Sequence, residues 1–309
     1  MMRARRRCFY FGRLFGIIHP DARAAAQNLH RPGGHRNIRG DTMEYQLLTL
    51  DIDGTLRPDA LPCVPRENVT AVRAVQKAGV KVAIATGRCR GGISKQLLGG
   101  IRPDYWICAA GAEVLDGAGN VLHTGTMTDQ QMYALVDFFE NYDCFLGFNF
   151  DDGPYGYVNC ARELEEEAAR GMAGYIHDGE DQVRHLESMP YSAFGRMPQP
   201  LAAQFQEKYG YLGLRFLYYG NSEGCDILTA EQDKARGLET VCAAMGIDPA
   251  QAVSVGDGSN DCGILKRAGL GVCMTGGDPR AARAADRLCP PAAEFGVAQL
   301  CKELWPEAF

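Results

Sequence analysis

The sequence lacks three features that would place it in common classes of protein. No stretch reaches 18 consecutive apolar residues, so nothing in it is long enough to be read as a transmembrane helix. It has no CxxC pair, and the two closest of its 12 cysteines, Cys262 and Cys273, are 11 residues apart. This spacing excludes a zinc knuckle and a thioredoxin-type motif, and it favours reduced thiols in a cytoplasmic protein.

Beyond the first 42 residues, basic side chains are fewer than acidic ones. The net charge is −6, but residues 1–42 carry nine arginines and two aspartates, a local charge of +7, so the remainder carries −6 − 7 = −13. An acidic body gives no reason to expect a nucleic acid as partner. The chain is 309 residues long and 46% hydrophobic, which is enough for two globular domains.

Residues 1–42 differ from the rest of the chain. They are rich in arginine, histidine, alanine and glycine, they contain no lysine, and they show no sustained periodicity. We expect a disordered extension, or a start site assigned too early with Met43 as the true beginning. A targeting signal is the alternative, although Arg13 interrupts its apolar stretch. A basic tail with a binding role is a further alternative.

From Met43 onward, apolar segments with strand character alternate with helical ones. The predicted strands are 46–51, 80–85, 105–110, 251–257 and 269–274. The predicted helices are 65–79, 92–98, 259–268 and one that Lys234 opens and that ends at Gly246. Short apolar runs of this kind are typical of parallel strands that are buried on both faces. The alternation predicts an α/β fold, a doubly wound parallel sheet with Rossmann-like topology.

The middle of the chain has a different character. Helices are predicted near 128–141, 162–172 and 200–209, and strands at 144–150 and 214–219. This pattern is typical of an α+β insertion. We therefore expect a core formed by residues 43–110 and 225–309, with residues 111–224 inserted as a cap.

Two carboxylates follow the first predicted strand, in the sequence LDIDGTL. Side chains two residues apart on a strand point the same way, so Asp51 and Asp53 converge. Two unit charges ~4 Å apart repel by about 4 kcal/mol at an effective dielectric of ~20. A shared proton or a divalent cation must offset that repulsion.

Polar residues also follow two other predicted strands, namely Thr86 with Gly87, and Asp257 with Asn260 and Asp261. Ligands of doubly wound sheets bind at the carboxyl ends of the strands. Each group alone has a structural explanation as turn or helix-cap chemistry. All three together, with Lys234 at the start of a helix, indicate a catalytic site.

The segments DIDGT, ATGR and GDGSND, with the lysine between the last two, resemble the four motifs of the haloacid dehalogenase superfamily. The insertion resembles the large α/β cap of the Cof-like phosphatases in that superfamily. The resemblance covers residues 43–309. It implies a phosphoric monoester hydrolase that acts on a small phosphorylated metabolite, such as a sugar phosphate.

The resemblance also implies a role for each motif residue. Asp51 would be the nucleophile that forms an aspartyl-phosphate, and Asp53 the general acid and then the general base. Mg²⁺ would be held by Asp51, by the backbone carbonyl of Asp53 and by Asp257. Gly54 would turn the chain so that backbone N–H groups face the phosphate, and Thr86, Gly87 and Asn260 would bind it. Lys234 would balance the charge on the nucleophile and the phosphate. Asp261 would orient Lys234 or support the metal.

The chain departs from the family pattern at three places. Ala109-Ala110-Gly111 lacks the usual asparagine, Ala235 follows the lysine in place of glycine, and Gly276-Gly277-Asp278 replaces a Gly-Asn-Ala turn. None of these changes removes a catalytic group. Polar cap residues that offer contacts to substrate are Tyr155, Tyr157, Arg162, His177 and His185, although a surface role is the simpler interpretation of each.

Three other functions use similar residues. A signalling receiver domain has a comparable acidic cluster, but it needs no lid of this length and its acceptor aspartate does not follow the first strand. A phosphosugar-binding regulator without turnover is disfavoured by the presence of both Asp51 and Asp53. A phosphomutase would use the same residues and stays open. The sequence predicts neither the oligomeric state nor the identity of the substrate.

Overall fold

The computed structural model describes residues 45–169, 174–220 and 222–309, all of which belong to one compact unit, Asn37–Phe309. The expectation for residues 1–42 lies outside the described part. The strands are β1 (Leu47–Leu50), β2 (Lys81–Ala85), β3 (Tyr105–Cys108), β4 (Glu113–Asp116), β5 (Val121–Thr124), β6 (Phe145–Asn149), β7 (Pro154–Val158), β8 (His177–Asp178), β9 (Ser192–Arg196), β10 (Arg215–Tyr218), β11 (Gly224–Leu228), β12 (Ala252–Gly256), β13 (Leu270–Met274) and β14 (Arg287–Cys289). The α-helices are α1 (Arg66–Lys77), α2 (Asp129–Asn141), α3 (Ala161–Ala169), α4 (Gln199–Tyr209), α5 (Lys234–Met245), α6 (Cys262–Arg267), α7 (Pro279–Ala284) and α8 (Gly296–Leu304). Within the described ranges, none of these helices has the length and apolar character needed to cross a bilayer.

The first sheet has the strand order β14-β13-β12-β1-β2-β3-β4-β5. The strands from β14 to β3 are parallel, and β4 and β5 continue the sheet as an antiparallel hairpin. All four residues of β1 are buried, because β1 lies in the interior of the sheet between β2 and β12. The nucleophile candidate Asp51 therefore follows a strand that is held on both sides.

Helices cover both faces of this sheet. On one face, Val72 of α1 and Leu300 of α8 belong to the same buried cluster as Leu48 and Ile84 of the sheet. On the other face, Leu238 and Val241 of α5 pack with Ala83, Ile107 and other sheet residues. The resulting three layers agree with the predicted doubly wound fold class.

The second sheet has the order β10-β11-β9-β6-β7-β8 and is mainly antiparallel. One face packs against helices α2 and α4 through residues such as Phe139 and Phe205. Residues alternate between the faces along each strand, so Ala193 and Ile227 lie in this packed core while Phe194 and Asp226 line a cavity on the other side.

The two sheets divide the chain at different residues from the predicted boundaries of 111 and 224. Strands β4 and β5 lie within the predicted cap range, but they pair with the first sheet. Strand β11 extends past residue 224 and pairs with the second sheet. The hairpin stays with the core because Val114 and Leu115 are buried in that domain's hydrophobic clusters.

The chain crosses between the sheets near residues 125–128 and 229–233, and both crossings are fastened to one segment of the cap. The Met127 N–H donates to the Pro190 carbonyl at 2.8 Å, and the Gln232 side-chain amide donates to the Tyr191 carbonyl. The Tyr191 hydroxyl in turn donates to Glu113 Oε1 in the core at 3.1 Å. The Pro190–Tyr191 segment therefore links both crossings to the core.

Most predicted elements appear within a residue or two, but the helix predicted at 92–98 is wrong. That region contains a 3₁₀ turn at Arg90–Gly92 and no α-helix. Paired glycines at 91–92 and 99–100 lower helix propensity. Gly91 also lies against the backbone of Asp152 in the cap, because a Cβ added at Gly91 would be 2.2 Å from the Asp152 carbonyl carbon.

Candidate active site

Asp51 and Lys234 form a buried ion pair at the end of β1. Lys234 is the first residue of α5, whose N-terminus is capped by the Asp233 carboxylate accepting from the Ala235 N–H at 2.8 Å. The Lys234 Nζ lies 2.8 Å from Asp51 Oδ1 and 2.7 Å from Asp261 Oδ1, and its side chain is fully buried. The structure thus brings together the predicted nucleophile and the predicted charge-balancing lysine.

The electrostatics of this pair follow from its burial. Burial raises the pKa of the Asp51 carboxyl, and the Lys234 ammonium acts in the opposite direction. For Lys234 itself, burial alone would lower the pKa, but Asp261 and Asp51 outweigh it and hold that pKa above its ordinary value. Lys234 is therefore held in its charged form beside Asp51.

Asp261 uses both of its oxygens to organise the site. Oδ1 accepts from Lys234, and Oδ2 accepts from the backbone N–H groups of Asp257 at 3.0 Å and Gly258 at 2.8 Å. Carboxylate oxygens of Asp51, Asp257 and Asp261 all lie within 4.8 Å of one another, a grouping suited to a metal ion. Because the oxygens of Asp261 are engaged, these contacts favour its predicted supporting role over direct ligation.

Asp257 follows β12 and is fixed by the DIDGT segment. The Thr55 hydroxyl donates to Asp257 Oδ1 at 2.7 Å. Gly54 has φ of +78°, and a Cβ there would lie 2.3 Å from Asp257 Oδ2, so only glycine fits this position without displacing the carboxylate. Burial raises the pKa of Asp257 to about 6, against the hydrogen bond from Thr55.

Asp53 is held by two arginines. Arg88 donates through Nε to Oδ2 at 2.7 Å and through a terminal nitrogen to Oδ1 at 3.0 Å, and Arg57 donates through Nε to Oδ1 at 3.0 Å. Burial alone would raise the pKa of Asp53, but the hydrogen bonds and charges of Arg88 and Arg57 outweigh it and lower that pKa. Arg88 also lies over the ring of Tyr175 in the cap, 5.0 Å from its centroid.

Thr86 and Gly87 follow β2, and Asn260 lies nearby in the 3₁₀ turn Ser259–Asp261. Thr86 is buried, and its hydroxyl accepts from the Arg88 N–H at 3.2 Å. A Cβ on Gly87 would be 3.6 Å from Asn260 Nδ2. The ends of β1, β2 and β12 thus bring all the predicted motif residues to one edge of the sheet.

These residues open into a cavity of about 870 Å³ that is lined by residues of both the core and the cap. A volume of this size is within the usual range for a small-molecule site. Its walls combine Asp51, Asp53 and Asp257 with cap residues that include Glu163, Tyr175, Phe194, Arg196, Tyr218 and Asp226. The Arg196 side chain is paired with Glu163, at 3.0 Å from both carboxylate oxygens.

The five cap residues considered from sequence do not line this cavity. Tyr157 packs in the cap core with Phe148, Arg162 pairs with Glu166, and His185 lies between Tyr133 and Tyr157. The interpretation of these residues as structural or surface positions fits the arrangement better than substrate contact.

Sequence reasoning missed Thr55, Arg88 and Asp226. Thr55 and Arg88 stand inside the quoted segments DIDGT and ATGR, so the motif itself contained the signal. Asp226 carries no such signal, because it reaches the site from the second sheet, and strand pairing in the cap is not readable from one sequence.

Fold and site together define a phosphatase-type α/β enzyme whose reaction centre lies beneath an inserted second sheet. Residues 48–300 match the profile of the haloacid dehalogenase-like hydrolases, so the chain belongs to that family. A phosphoglycolate phosphatase of Methanopyrus kandleri is 26% identical over 263 residues, which cover 84% of this chain and 97% of that protein. The phosphatase YwpJ of Bacillus subtilis is 23% identical over 288 residues, covering 84% and 99%.

Among solved structures, the sugar phosphatase BT4131, described as a member of subclass IIB of this superfamily, superposes with a TM-score of 0.72. It is 20% identical and covers 84% of this chain and 98% of that one. At this identity the likeness supports the fold alone. The predicted family, the fold class and a phosphatase as the class of enzyme are confirmed.

Proposed function

We propose that this protein is a Mg²⁺-dependent phosphatase that hydrolyses a small phosphorylated metabolite through an aspartyl-phosphate at Asp51. The observation that carries the proposal is the Asp51–Lys234 pair, in which Asp51 lines the cavity and Lys234 is fully buried next to it. The Lys234 ammonium offsets part of the negative charge that would otherwise keep a phosphate dianion away from the Asp51 carboxylate.

The donors present fit a metal ion. Lys234 donates a hydrogen bond to Asp51 Oδ1, and Thr55 donates one to Asp257 Oδ1. Within the described residues, no hydrogen bond reaches the Oδ2 atom of either carboxylate. Carboxylate oxygens of Asp51 and Asp257 lie within 4.8 Å of each other, and with the backbone carbonyl of Asp53, which the family resemblance implies as a ligand, they would form an oxygen-only set of the kind that Mg²⁺ prefers. When bound, Mg²⁺ would neutralise charge between the carboxylate and the phosphate.

The chemistry then falls to the chain's own residues. An Asp51 oxygen forms a bond to phosphorus while the bond to the leaving oxygen breaks, and Asp53 gives its proton to that oxygen. In the second step Asp53 takes a proton from water, whose oxygen attacks the phosphorus and frees Asp51. Because Arg88 and Arg57 favour the ionised form of Asp53, the acid form requires these contacts to loosen. An incoming phosphate would offer Arg88, which lines the cavity, another anionic partner.

The cavity wall supports a polar leaving group of sugar-phosphate size. Polar cap residues that line it include Glu163, Arg196 and Asp226, together with the aromatic residue Phe194. We also propose a cytoplasmic location, where a reducing environment would keep the eleven free cysteines of the described part as thiols. A phosphomutase would use the same residues to return the phosphoryl group to the substrate, and no observation favours that reaction over hydrolysis.

The first experiment is a turnover screen against sugar phosphates, nucleotides, phosphorylated vitamins and phosphoglycolate. We expect release of phosphate that EDTA abolishes and Mg²⁺ restores, and no turnover by Asp51→Asn. Asp143→Asn is the matched control, since Asp143 is exposed and asparagine tolerates its φ of +51°. Rapid acid quenching should trap a hydroxylamine-labile acyl-phosphate in the parent. Full activity in EDTA or in Asp51→Asn would overturn the mechanism.

The second experiment tests Asp53 by Asp53→Asn at saturating Mg²⁺. Proton transfer by a positioned side chain contributes ~10²–10⁴-fold, so kcat should fall by about that factor. The loss should be smaller for an aryl phosphate with an acidic phenol than for a sugar phosphate, because the phenolate needs no proton. Complete rescue by excess Mg²⁺ would instead show that Asp53 serves only the metal.

A further inference from the structure

Asp226 brings a cap carboxylate to the phosphate-binding edge of the core. It lies on β11 in the second sheet and is 8% exposed. The Tyr219 hydroxyl donates to its Oδ1. Its Oδ2 faces the core, because a Cβ added at Gly87 would lie 3.3 Å from that oxygen and 3.6 Å from Asn260 Nδ2.

The amide of Asn260 is the group from the core that Asp226 meets. Burial raises the pKa of Asp226, while the hydroxyl of Tyr219, the charge of Lys234 and the nearby amide of Asn260 act in the opposite direction. Strand β10, which pairs with β11, also contacts the turn that carries Asn260. The two side chains therefore meet across the boundary between the sheets, beside the loop that follows β2.

An asparagine amide can face a phosphate in two ways. Its nitrogen has two N–H donors, whereas its carbonyl oxygen repels a phosphoryl oxygen. A carboxylate that accepts one N–H fixes which end of the amide points into the site and leaves the second N–H for the phosphate. Hydrogen bonds to an ionised acceptor are about twice as strong as neutral ones, so a carboxylate holds the amide well.

We propose that Asp226 is a positioning residue, supplied by the cap, that orients the Asn260 amide toward the phosphate. The proposal rests on the proposed function, because it assigns Asn260 to the phosphate. It has a consequence for the cap: the phosphate site is complete only when β11 lies against the core. The cap then contributes to binding the phosphate itself, which every substrate shares, in addition to contacting the leaving group.

The test is a double-mutant cycle read by the affinity for inorganic phosphate. Phosphate binding is titrated calorimetrically in the presence of Mg²⁺ for the parent, Asp226→Ala, Asn260→Ala and the double variant. Asp226→Ala should weaken binding about tenfold, the effect of one charge-assisted hydrogen bond. In the Asn260→Ala background the same change should cost less than about twofold, because the amide it orients is gone.

Two further variants separate positioning from a general loss of structure. Asp226→Asn keeps an acceptor oxygen and should lose less phosphate affinity than Asp226→Ala. Asp181→Ala changes an exposed cap aspartate whose carboxylate accepts from the Val183 N–H, and it should leave phosphate affinity unchanged. Thermal unfolding of each variant checks that the fold persists.

The KM values of two esters with unrelated leaving groups complete the test. Positioning of Asn260 predicts that Asp226→Ala raises both KM values by the same factor. The proposal is overturned if the losses of phosphate affinity in the cycle are additive. It is also overturned if phosphate affinity is unchanged while the change in KM depends on the leaving group, which would make Asp226 a contact to the leaving group. The proposed function has a separate test, because turnover by the parent decides it whatever the cycle shows.

Discussion

Replacing Lys234 by methionine should destabilise the protein strongly. Methionine has a similar length and keeps the apolar contacts of the stem, but it removes the ammonium that lies 2.8 Å from Asp51 and 2.7 Å from Asp261. Asp261 is 1% exposed and Asp51 is 8% exposed, so water has too little access to these carboxylates to compensate for the lost ammonium. Two buried carboxylates are then left without their shared cation.

The magnitude follows from the burial of this group. Removing one partner of a buried ion pair costs about 3–5 kcal/mol, because the remaining charge stays desolvated. In a protein of this size each kcal/mol lowers Tm by about 2–4 °C, so Tm should fall by roughly 6–20 °C. The measurement belongs in EDTA, since a divalent cation beside Asp51 would offset part of the loss.

Thermal and urea unfolding followed by circular dichroism measure this effect. Lys266→Met is the matched control: the same chemical change is made at an exposed position on α6, and it should alter stability by less than about 0.5 kcal/mol. Adding Asp261→Asn to Lys234→Met removes one uncompensated charge and should recover part of the lost stability. If Lys234→Met costs no more than the control, or if the second substitution makes matters worse, the account of this ion pair is wrong.

Two glycine-to-alanine substitutions, Gly54→Ala and Gly91→Ala, test the site and the cap, and Gly119→Ala is the control for the first. Gly54→Ala should lose about 1–2 kcal/mol of stability from its positive φ and also most activity, because the new methyl group displaces Asp257. Gly119 has φ of +92° with open space around it, so Gly119→Ala should show a similar stability loss but keep full kcat. Equal activity of the Gly54→Ala and Gly119→Ala variants would contradict the claim that the methyl group at position 54 displaces Asp257. Gly91→Ala places a methyl group 2.2 Å from the Asp152 backbone and should therefore hold the cap away from the core. We expect a lower kcat/KM with an unchanged apparent Kd for Mg²⁺; a change confined to Mg²⁺ affinity would refute this view of the contact.

The edge of the core sheet could be predicted because its signals are local. Strand β1 and the residues that follow it are adjacent in sequence, and so are β2 with Thr86 and β12 with Asp257. The rule that parallel strands present their carboxyl ends on one side then joins the three segments without knowledge of any side-chain contact. The roles of the individual residues stay predictions until the variants are measured.

The cap boundary and the role of Asp226 were not predicted, for two different reasons. The β4–β5 hairpin was assigned to the cap, although its turn has a local signal in the glycines and asparagine of DGAGN and in the Asp116 carboxylate that accepts from the Asn120 N–H at 2.8 Å. Asp226 is a different case. Its importance depends on how β11 pairs within the second sheet and on how that sheet lies over Asn260, and both are long-range properties.

The interior position of β1 has a consequence for how the protein is made. Asp51 and Lys234 are separated by 183 residues, and at the ~5–20 residues per second of translation about 10–40 s pass between the synthesis of the two. The strands of the second sheet are all synthesised in that interval, whereas β12, which closes one side of β1, comes later still. The cap can therefore fold on the ribosome while β1 still has an open edge. Asp53 is followed closely in synthesis by its counter-ions Arg57 and Arg88, whereas Asp51 receives its counter-ion Lys234 only after the strands of the cap have been made.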